Sequence, residues 1–170
     1  MSGSGSLTIR PAAPGDAEAL TEIYNHYILN GAITFDIEPI SVTARREWMS
    51  HYAPTGPHRL LVAENDGRVA GHASSSKFRD KAAYRTSVET SIYLHPDCVG
   101  KGIGRRLYQA LFDALASEDL HRAYAGVTLP NPASVALHEK LGFVPLGLYR
   151  EVGRKFDRYW SVQWFERPLP

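Results

Sequence analysis

Cysteine is almost absent from this chain: Cys98 stands alone among 170 residues, so neither an intrachain disulfide nor a zinc ribbon can form. That scarcity suits a reducing compartment, and the chain is expected in the cytoplasm. No apolar run reaches the roughly 18 residues that a membrane-spanning helix needs, so no membrane partner is expected. Charge of one sign is missing too. The 19 Lys and Arg against 18 Asp and Glu leave +1, which argues against phosphate neutralisation holding the whole protein on nucleic acid. The histidines lack a His-Glu-x-x-His spacing, and no metal is assigned. What is present is an ordinary globular mixture, 44% hydrophobic and 22% charged, long enough for one well-buried core. The Gly/Ser stretch over 1–6 reads as a flexible leader, and 7–170 as a single domain.

Leu20, Ile23, Tyr24, Tyr27 and Ile28 recur with helical spacing after Asp16, the expected N-cap. A second, weaker helix is expected from Ser41 through Trp48, Met49 and Tyr52, with Gly31 to Pro39 as the loop between the two. Asn65-Asp66-Gly67 between Leu60–Ala63 and Val69–Ala73 predicts a hairpin. Ser87 to Leu94 alternates Val88, Thr90, Ile92 and Leu94 with Glu89, Ser91 and Tyr93, as a half-buried strand does. A helix over Arg105 to Ser117, a strand over Ala123 to Leu129 and a short helix from Asn131-Pro132 to Leu141 follow, with Gly142 as its stop. The tail alternates around Tyr159 to Phe165, its strands interrupted at Gly153 to Asp157. The order predicts mixed α/β architecture.

Gly100-Lys101-Gly102-Ile103-Gly104 feeds a helix N-terminus, where free backbone N–H groups and the helix dipole suit a phosphate. Lys101, Arg105 and Arg106 add positive charge. The same residues also make a plain strand-to-helix turn, and neither the dinucleotide nor the nucleoside-triphosphate fingerprint fits. Strand Val88 to Leu94, loop Val99 to Gly104, and Asn131-Pro132-x-Ser134-x-x-Leu137-His138-x-Lys140-x-Gly142-Phe143 together resemble the GNAT acetyltransferase signature. Ile23-Tyr24-Asn25-His26-Tyr27, Phe78 to Tyr84, Val88 to Leu94 and Leu129 to Glu139 resemble the phosphinothricin N-acetyltransferase family, over about Leu7 to Leu169.

The resemblance implies a mixed, mostly antiparallel central sheet flanked by helices, with two central strands splayed. It implies acetyl-CoA as cosubstrate, its arm along Ile92, Tyr93 and Leu94 and its pyrophosphate on Val99, Gly100, Lys101, Gly102, Ile103, Gly104 and Arg105, with Asn131 as a further contact. Val99 departs from the Arg or Gln usual there. A homodimer is implied as well, and a small amino-acid-like acceptor such as phosphinothricin or methionine sulfoximine.

Acetyl transfer to an amine needs a base for the ammonium, a donor for the developing oxyanion and an acid for the thiolate. Glu89 is the candidate base, directly or through water; a strand-face glutamate exposed or paired with arginine is the alternative. A backbone amide near Tyr93 or Leu94 would serve the oxyanion if the strand bulges there. His138 would protonate the thiolate or orient the acceptor, while Tyr108 competes as acid or simply packs in the core. Arg79, Lys81 and Arg85 would pair with the acceptor's anionic groups, and Phe35 and Tyr84 would wall it; solvation and packing explain each equally. Two other functions stay open: a GNAT enzyme for a peptide N-terminus, polyamine or aminoglycoside, and a non-catalytic acyl-CoA-binding regulator.

Overall fold

The computed structural model describes residues 6–170. The expected leader therefore lies outside the described residues except for Ser6, whose N–H donates to Asp66 Oδ1 at 3.1 Å. In chain order the elements are β1 (Leu7–Pro11), α1 (Ala17–Asn30), α2 (Val42–Met49), β2 (Leu60–Asn65), β3 (Arg68–Lys77), β4 (Ser87–Leu94), α3 (Ile103–Leu115), β5 (Arg122–Leu129), α4 (Pro132–Lys140), β6 (Val144–Lys155) and β7 (Arg158–Pro168). They build one seven-stranded sheet in the order β1-β2-β3-β4-β5-β7-β6, antiparallel throughout except for β4 beside β5.

The local chemistry explains most of these elements. Asp66 and Gly67 take φ of 52° and 76°, the pair of positive values that a two-residue hairpin turn requires between β2 and β3. Ser41 caps α2 by accepting from the Ala44 N–H, and Asn131 caps α4 by accepting from the Ser134 N–H, with Pro132 at the first helical position. Leu107, Tyr108, Leu111 and Leu115 turn one stripe of α3 onto the sheet, where they pack with Val88, Ala123, Phe143 and Phe165. On the opposite face Leu20, Leu60 and Val62 pack with Trp48, Met49 and Tyr52 under α1 and α2. Both faces of the central strands are thus covered.

Three expectations need correction. Strand β1 has no counterpart among the expected elements, because five residues with Thr8 and Arg10 alternating and a terminal proline give too short a period. Asp16 occupies the N-cap position of α1, as expected, but its side chain makes no capping bond to the helix. A 3-10 turn over Pro14–Asp16 precedes the helix, and the Asp16 carboxylate reaches back to the Ala13 N–H (2.7 Å) and to both terminal nitrogens of Arg10 (2.8 Å each). Arg10 also bonds Glu64, so one guanidinium ties β1, β2 and the entry to α1 together. Finally, Gly153 belongs to β6 and only Phe156-Asp157 makes the last turn. Gly153 lies against Phe35, and a Cβ there would come within 2.3 Å of that ring.

The central strands set up the site. β4 and β5 pair only at Ser87↔Arg122, Val88↔Ala123 and Glu89↔Tyr124, after which they part, while β5 stays paired with β7 as far as Leu129↔Ser161. No bulge occurs at Tyr93 or Leu94: β3 and β4 keep one unbroken register from Lys77↔Val88 to Gly71↔Leu94. The His95 N–H donates to the Ala70 carbonyl, which fixes the phase of that ladder. Backbone groups of Glu89, Ser91 and Tyr93 therefore face β3, and those of Ile92 and Leu94 face the gap toward β5.

The Asp16 cluster yields a pH prediction. Arg10 holds the Asp16 carboxyl below its ordinary range, so its contribution to stability is complete above about pH 4 and is lost as pH falls through the folded-state value. Asp16→Asn should cost about 2 kcal/mol in urea unfolding at pH 7, and its stability should fall less steeply than the parent's below about pH 4. Identical acid slopes in the two proteins would contradict this assignment.

Candidate active site

Gly100 and Gly102 both adopt left-handed φ, 77° and 76°, and Gly102 is the residue before the first turn of α3. The first intrahelical bond runs from the Arg106 N–H to the Gly102 carbonyl, so the amides of Ile103, Gly104 and Arg105 have no helical acceptor. Gly104 is buried where α3 crosses β4, and a Cβ would lie 3.2 Å from Leu94 Cδ1. The loop residues Val99 and Lys101, and Arg105 on the helix, remain exposed. A cradle of main-chain donors rimmed by two cations is what a pyrophosphate needs.

The gap between β4 and β5 opens beside this cradle. Its walls are Glu89 to Tyr93 on one strand and Gly126 to Thr128 on the other, and Asn131, Ser134 and His138 line it from α4. Below it, on the α3 and α4 side, Thr90 Oγ1 lies 2.7 Å from Tyr108 Oη, which lies 3.3 Å from His138 Nε2. His138 Nδ1 is 2.7 Å from the Ser134 carbonyl, an obligate acceptor, so Nδ1 carries the ring proton and Nε2 accepts. Burial pushes the His138 pKa down and the Tyr108 pKa up. The neutral ring has no Nε2 proton to give; Nε2 accepts the Tyr108 hydroxyl proton, and of the three residues Thr90 and His138 border the gap while Tyr108 lies behind them. Tyr108 is thus fully buried core, as one of the two alternatives had it, and its hydroxyl also belongs to a polar chain.

Glu89 projects from the other face of β4, beside Ser76 across the ladder. It is half-buried, and desolvation raises its carboxyl above the ordinary range while the Arg79 charge pulls partly the other way. Tyr27 on α1 donates to the Leu94 carbonyl at 2.5 Å, satisfying one main-chain acceptor that the parted strands leave free.

The expected acceptor residues are only partly gathered. Arg79 stacks on Phe78, Tyr84 meets the same ring edge-on, and Phe78 stacks on Tyr124, so these three surround the end of β4 that carries Glu89. Lys81 is exposed in the same segment. Arg85 points elsewhere, 4.0 Å from Asp119 after α3, because its position next to β4 faces the α3 end of the crossover. Phe35 packs on Gly153, in a loop anchored by Lys155 Nζ donating to the Thr34 carbonyl.

Sequence reading missed a second cavity of about 270 Å³ on the α1 and α2 face, largely apolar but bordered by Arg45, His72, Ser74 and Ser91 as well as Trp48 and Tyr93. The signal available was slight: Arg45 is one of two adjacent arginines on the weaker helix, and Ser74-Ser75-Ser76 is a hydroxyl run inside a strand.

Tyr108→Phe should leave the ring stacked on Phe112 yet remove the hydroxyl that links Thr90 and His138. We expect a loss of about 1–3 kcal/mol in urea unfolding. An unchanged midpoint would mean that this chain is not formed.

Residues 20–143 match the acetyltransferase (GNAT) family. The chain is 52% identical to a phosphinothricin N-acetyltransferase of Streptomyces coelicolor, over 99% of this chain and 100% of that protein. It is 36% identical to an L-methionine sulfoximine/L-methionine sulfone acetyltransferase of Salmonella typhimurium, over 96% and 95% of the respective lengths. A solved acetyltransferase from Salmonella typhimurium, described with acetyl-CoA, superposes with a TM-score of 0.92 at 35% identity, covering 97% of this chain and 95% of that one.

Proposed function

The chain belongs to the GNAT acetyltransferase family and is an acetyl-CoA-dependent N-acetyltransferase, and from that premise we propose that it acetylates the α-amine of a small amino acid of the phosphinothricin or methionine sulfoximine class. The observation that carries the reading is the half-buried Glu89 carboxyl on the acceptor face of β4, at the last residue paired with β5 before the strands part. When bound, acetyl-CoA supplies the activated acetyl thioester. The amides of Gly100 to Arg105 hold its pyrophosphate, with Lys101 and Arg105 adding charge, and Val99 costs little because the hold is through main-chain donors. Ile92 and Leu94 present gap-facing amides along the arm, and Asn131 lines the same cleft.

Glu89 takes the proton of the acceptor ammonium, directly or through one water, and its raised pKa brings it nearer to that task than an ordinary carboxylate. A gap-facing amide stabilises the developing oxyanion. On the opposite face the departing thiolate takes its proton from the gap-lining Thr90 hydroxyl, which Tyr108 resupplies when its own hydroxyl turns from His138 Nε2 to Thr90 Oγ1. Base and acid therefore sit on different faces of one strand, which keeps the two protons from short-circuiting. Arg79 and Lys81 take the acceptor's α-carboxylate at the mouth, with Tyr84 beside them; Arg85 has no part in this, and Phe35 acts through the loop it anchors.

The chain also fits a homodimer, since the edge strand β6 exposes Val144, Leu146 and Leu148. No helix among the described residues is long and apolar enough to cross a membrane.

Purified protein, acetyl-CoA and a panel of amines should release free thiol with phosphinothricin or methionine sulfoximine. Release only with polyamines, aminoglycosides or peptides would overturn the acceptor class. Glu89→Gln should lower kcat by roughly 10²–10⁴-fold with acetyl-CoA affinity unchanged. Because the base works deprotonated and its pKa is raised, kcat/KM of the parent should climb with pH through a midpoint above the ordinary carboxylate range. That acidic limb should vanish in the variant.

A further inference from the structure

Arg45 lies within α2 and is 3% exposed. Its Cζ sits 4.4 Å from the ring centroid of Tyr24 and 4.4 Å from that of Trp48. Stacking of this kind covers the faces of the guanidinium plane and leaves its edges for hydrogen bonds. Nε and Nη2 are buried and have no partner. Asp36, whose charge Arg45 feels, is engaged instead by the Tyr24 hydroxyl at 2.7 Å. A buried cation with two idle donors is costly unless an acceptor completes it. Nε–H and Nη2–H run parallel along one edge, the fork that matches two oxygens of an oxyanion. In the same cavity His72 Nδ1 is also buried without a partner, and Ser74 and Ser91 add hydroxyls.

The position of this cage relative to Glu89 follows from the sheet. On the acceptor face, cross-strand pairs Ser76/Glu89, Ser74/Ser91 and His72/Tyr93 succeed one another, so Glu89 and Tyr93 are four residues apart, about 13 Å along the strand. Arg45 stands at the Tyr93 end, and Ser76, the neighbour of Glu89, borders the same cavity. An α-carboxylate is attached to the carbon that bears the amine and stays near Glu89. Only the far end of the side chain extends toward Arg45.

We propose that Arg45 is the receptor for an oxyanion at the side-chain end of the acceptor, a phosphinate or carboxylate, with the Ser74 and Ser91 hydroxyls serving its remaining lone pairs. The proposal rests on the amino-acid reading above and adds the residue that selects among amino acids. No covalent step is involved.

The test compares phosphinothricin and glutamate with norvaline, whose side chain is neutral, using the full-length protein and Arg45→Lys and Arg45→Met. Arg45→Lys should raise KM for phosphinothricin by at least about tenfold, as expected when a buried bidentate contact is lost, and leave KM for norvaline within about threefold. Calorimetric titration of phosphinothricin into protein saturated with CoA should show the same loss of affinity without turnover. Equal rises in KM for both acceptor classes, or a fall in kcat alone, would reduce Arg45 to a packing residue and overturn the proposal. Phosphinothricin α-carboxamide distinguishes the two acidic ends: its penalty should be the same in parent and variant, and a penalty that disappears in Arg45→Lys would place the α-carboxylate at Arg45 instead. Should both variants fail to fold, a parent that binds norvaline as tightly as phosphinothricin overturns the proposal, and Ser91→Ala, expected to weaken phosphinothricin and not norvaline, supports it. Failure of the parent to acetylate any amino acid while it binds acetyl-CoA would defeat the functional reading separately; calorimetric binding of phosphinothricin would still judge Arg45.

Discussion

The parting of β4 from β5 beyond Glu89 is the constraint on which the rest of the site depends. Two main-chain positions, Ile92 and Leu94, lose the sheet partner that a parallel neighbour would have given them, and unpaired amides in a half-buried place are costly unless a ligand takes them. The divergence is held from both sides. β3 keeps β4 in register to Leu94 and β7 keeps β5 in register to Leu129, so neither strand can relax toward the other without breaking a longer ladder. Tyr27 ties down the Leu94 carbonyl, and Gly126 lets Val162 and Trp164 of β7 press against β5. The opening is therefore a built feature of the sheet.

That opening places two different electrostatic environments on one strand. Toward α3 and α4, Thr90, Tyr108 and His138 form a neutral chain, since burial disfavours both the imidazolium and the phenolate. Toward α1 and α2, Glu89 keeps a carboxyl that burial makes more basic, with Arg79 limiting the shift. Strand alternation does the sorting. Thr90 and Glu89 are adjacent in sequence and point to opposite sides, so in the proposed mechanism the proton taken from the ammonium and the proton given to the thiolate travel on different faces.

Much of this is legible in the sequence. The glycine loop, the capped α4 with His138, the Asp66-Gly67 turn and the alternation through Glu89 are local signals, set by φ, by capping chemistry and by period, and the structure contains them. Local signals fail where long-range packing decides. Strand β1 exists because β2 offers it an edge, and the carboxylate of the N-cap residue Asp16 leaves the helix amides unbonded because Arg10, brought by that strand, engages it. Arg85 turns to Asp119 for a reason that lies thirty-odd positions away. The family resemblance implies two splayed central strands and the structure has them, whereas the bulge considered for a free amide at Tyr93 or Leu94 is absent: the amides at Ile92 and Leu94 are freed by the divergence alone, which no window on a single strand can register. Arg45 had no local signal, since its cage is assembled from α1, α2, β3 and β4.

The cage and the loop between α1 and α2 also form one mechanical unit. Tyr24, which covers one face of Arg45, bonds both Thr34 Oγ1 (2.8 Å) and Asp36. The carbonyl of that same Thr34 receives the buried Lys155 ammonium of β6, whose pKa burial lowers. Phe35 between them rests on Gly153, where no larger residue fits. The loop is therefore pinned at three successive residues, twice by polar bonds and once by packing, and it reaches the acceptor face as a fixed wall. A rigid wall matters physically: ordering a mobile segment on binding would consume part of the affinity that a small acceptor can supply. With the loop already ordered, contacts at Arg45 and Glu89 can act on the acceptor itself, and selectivity between amino acids reduces to whether the far end of the side chain brings oxygens to a fork that has none.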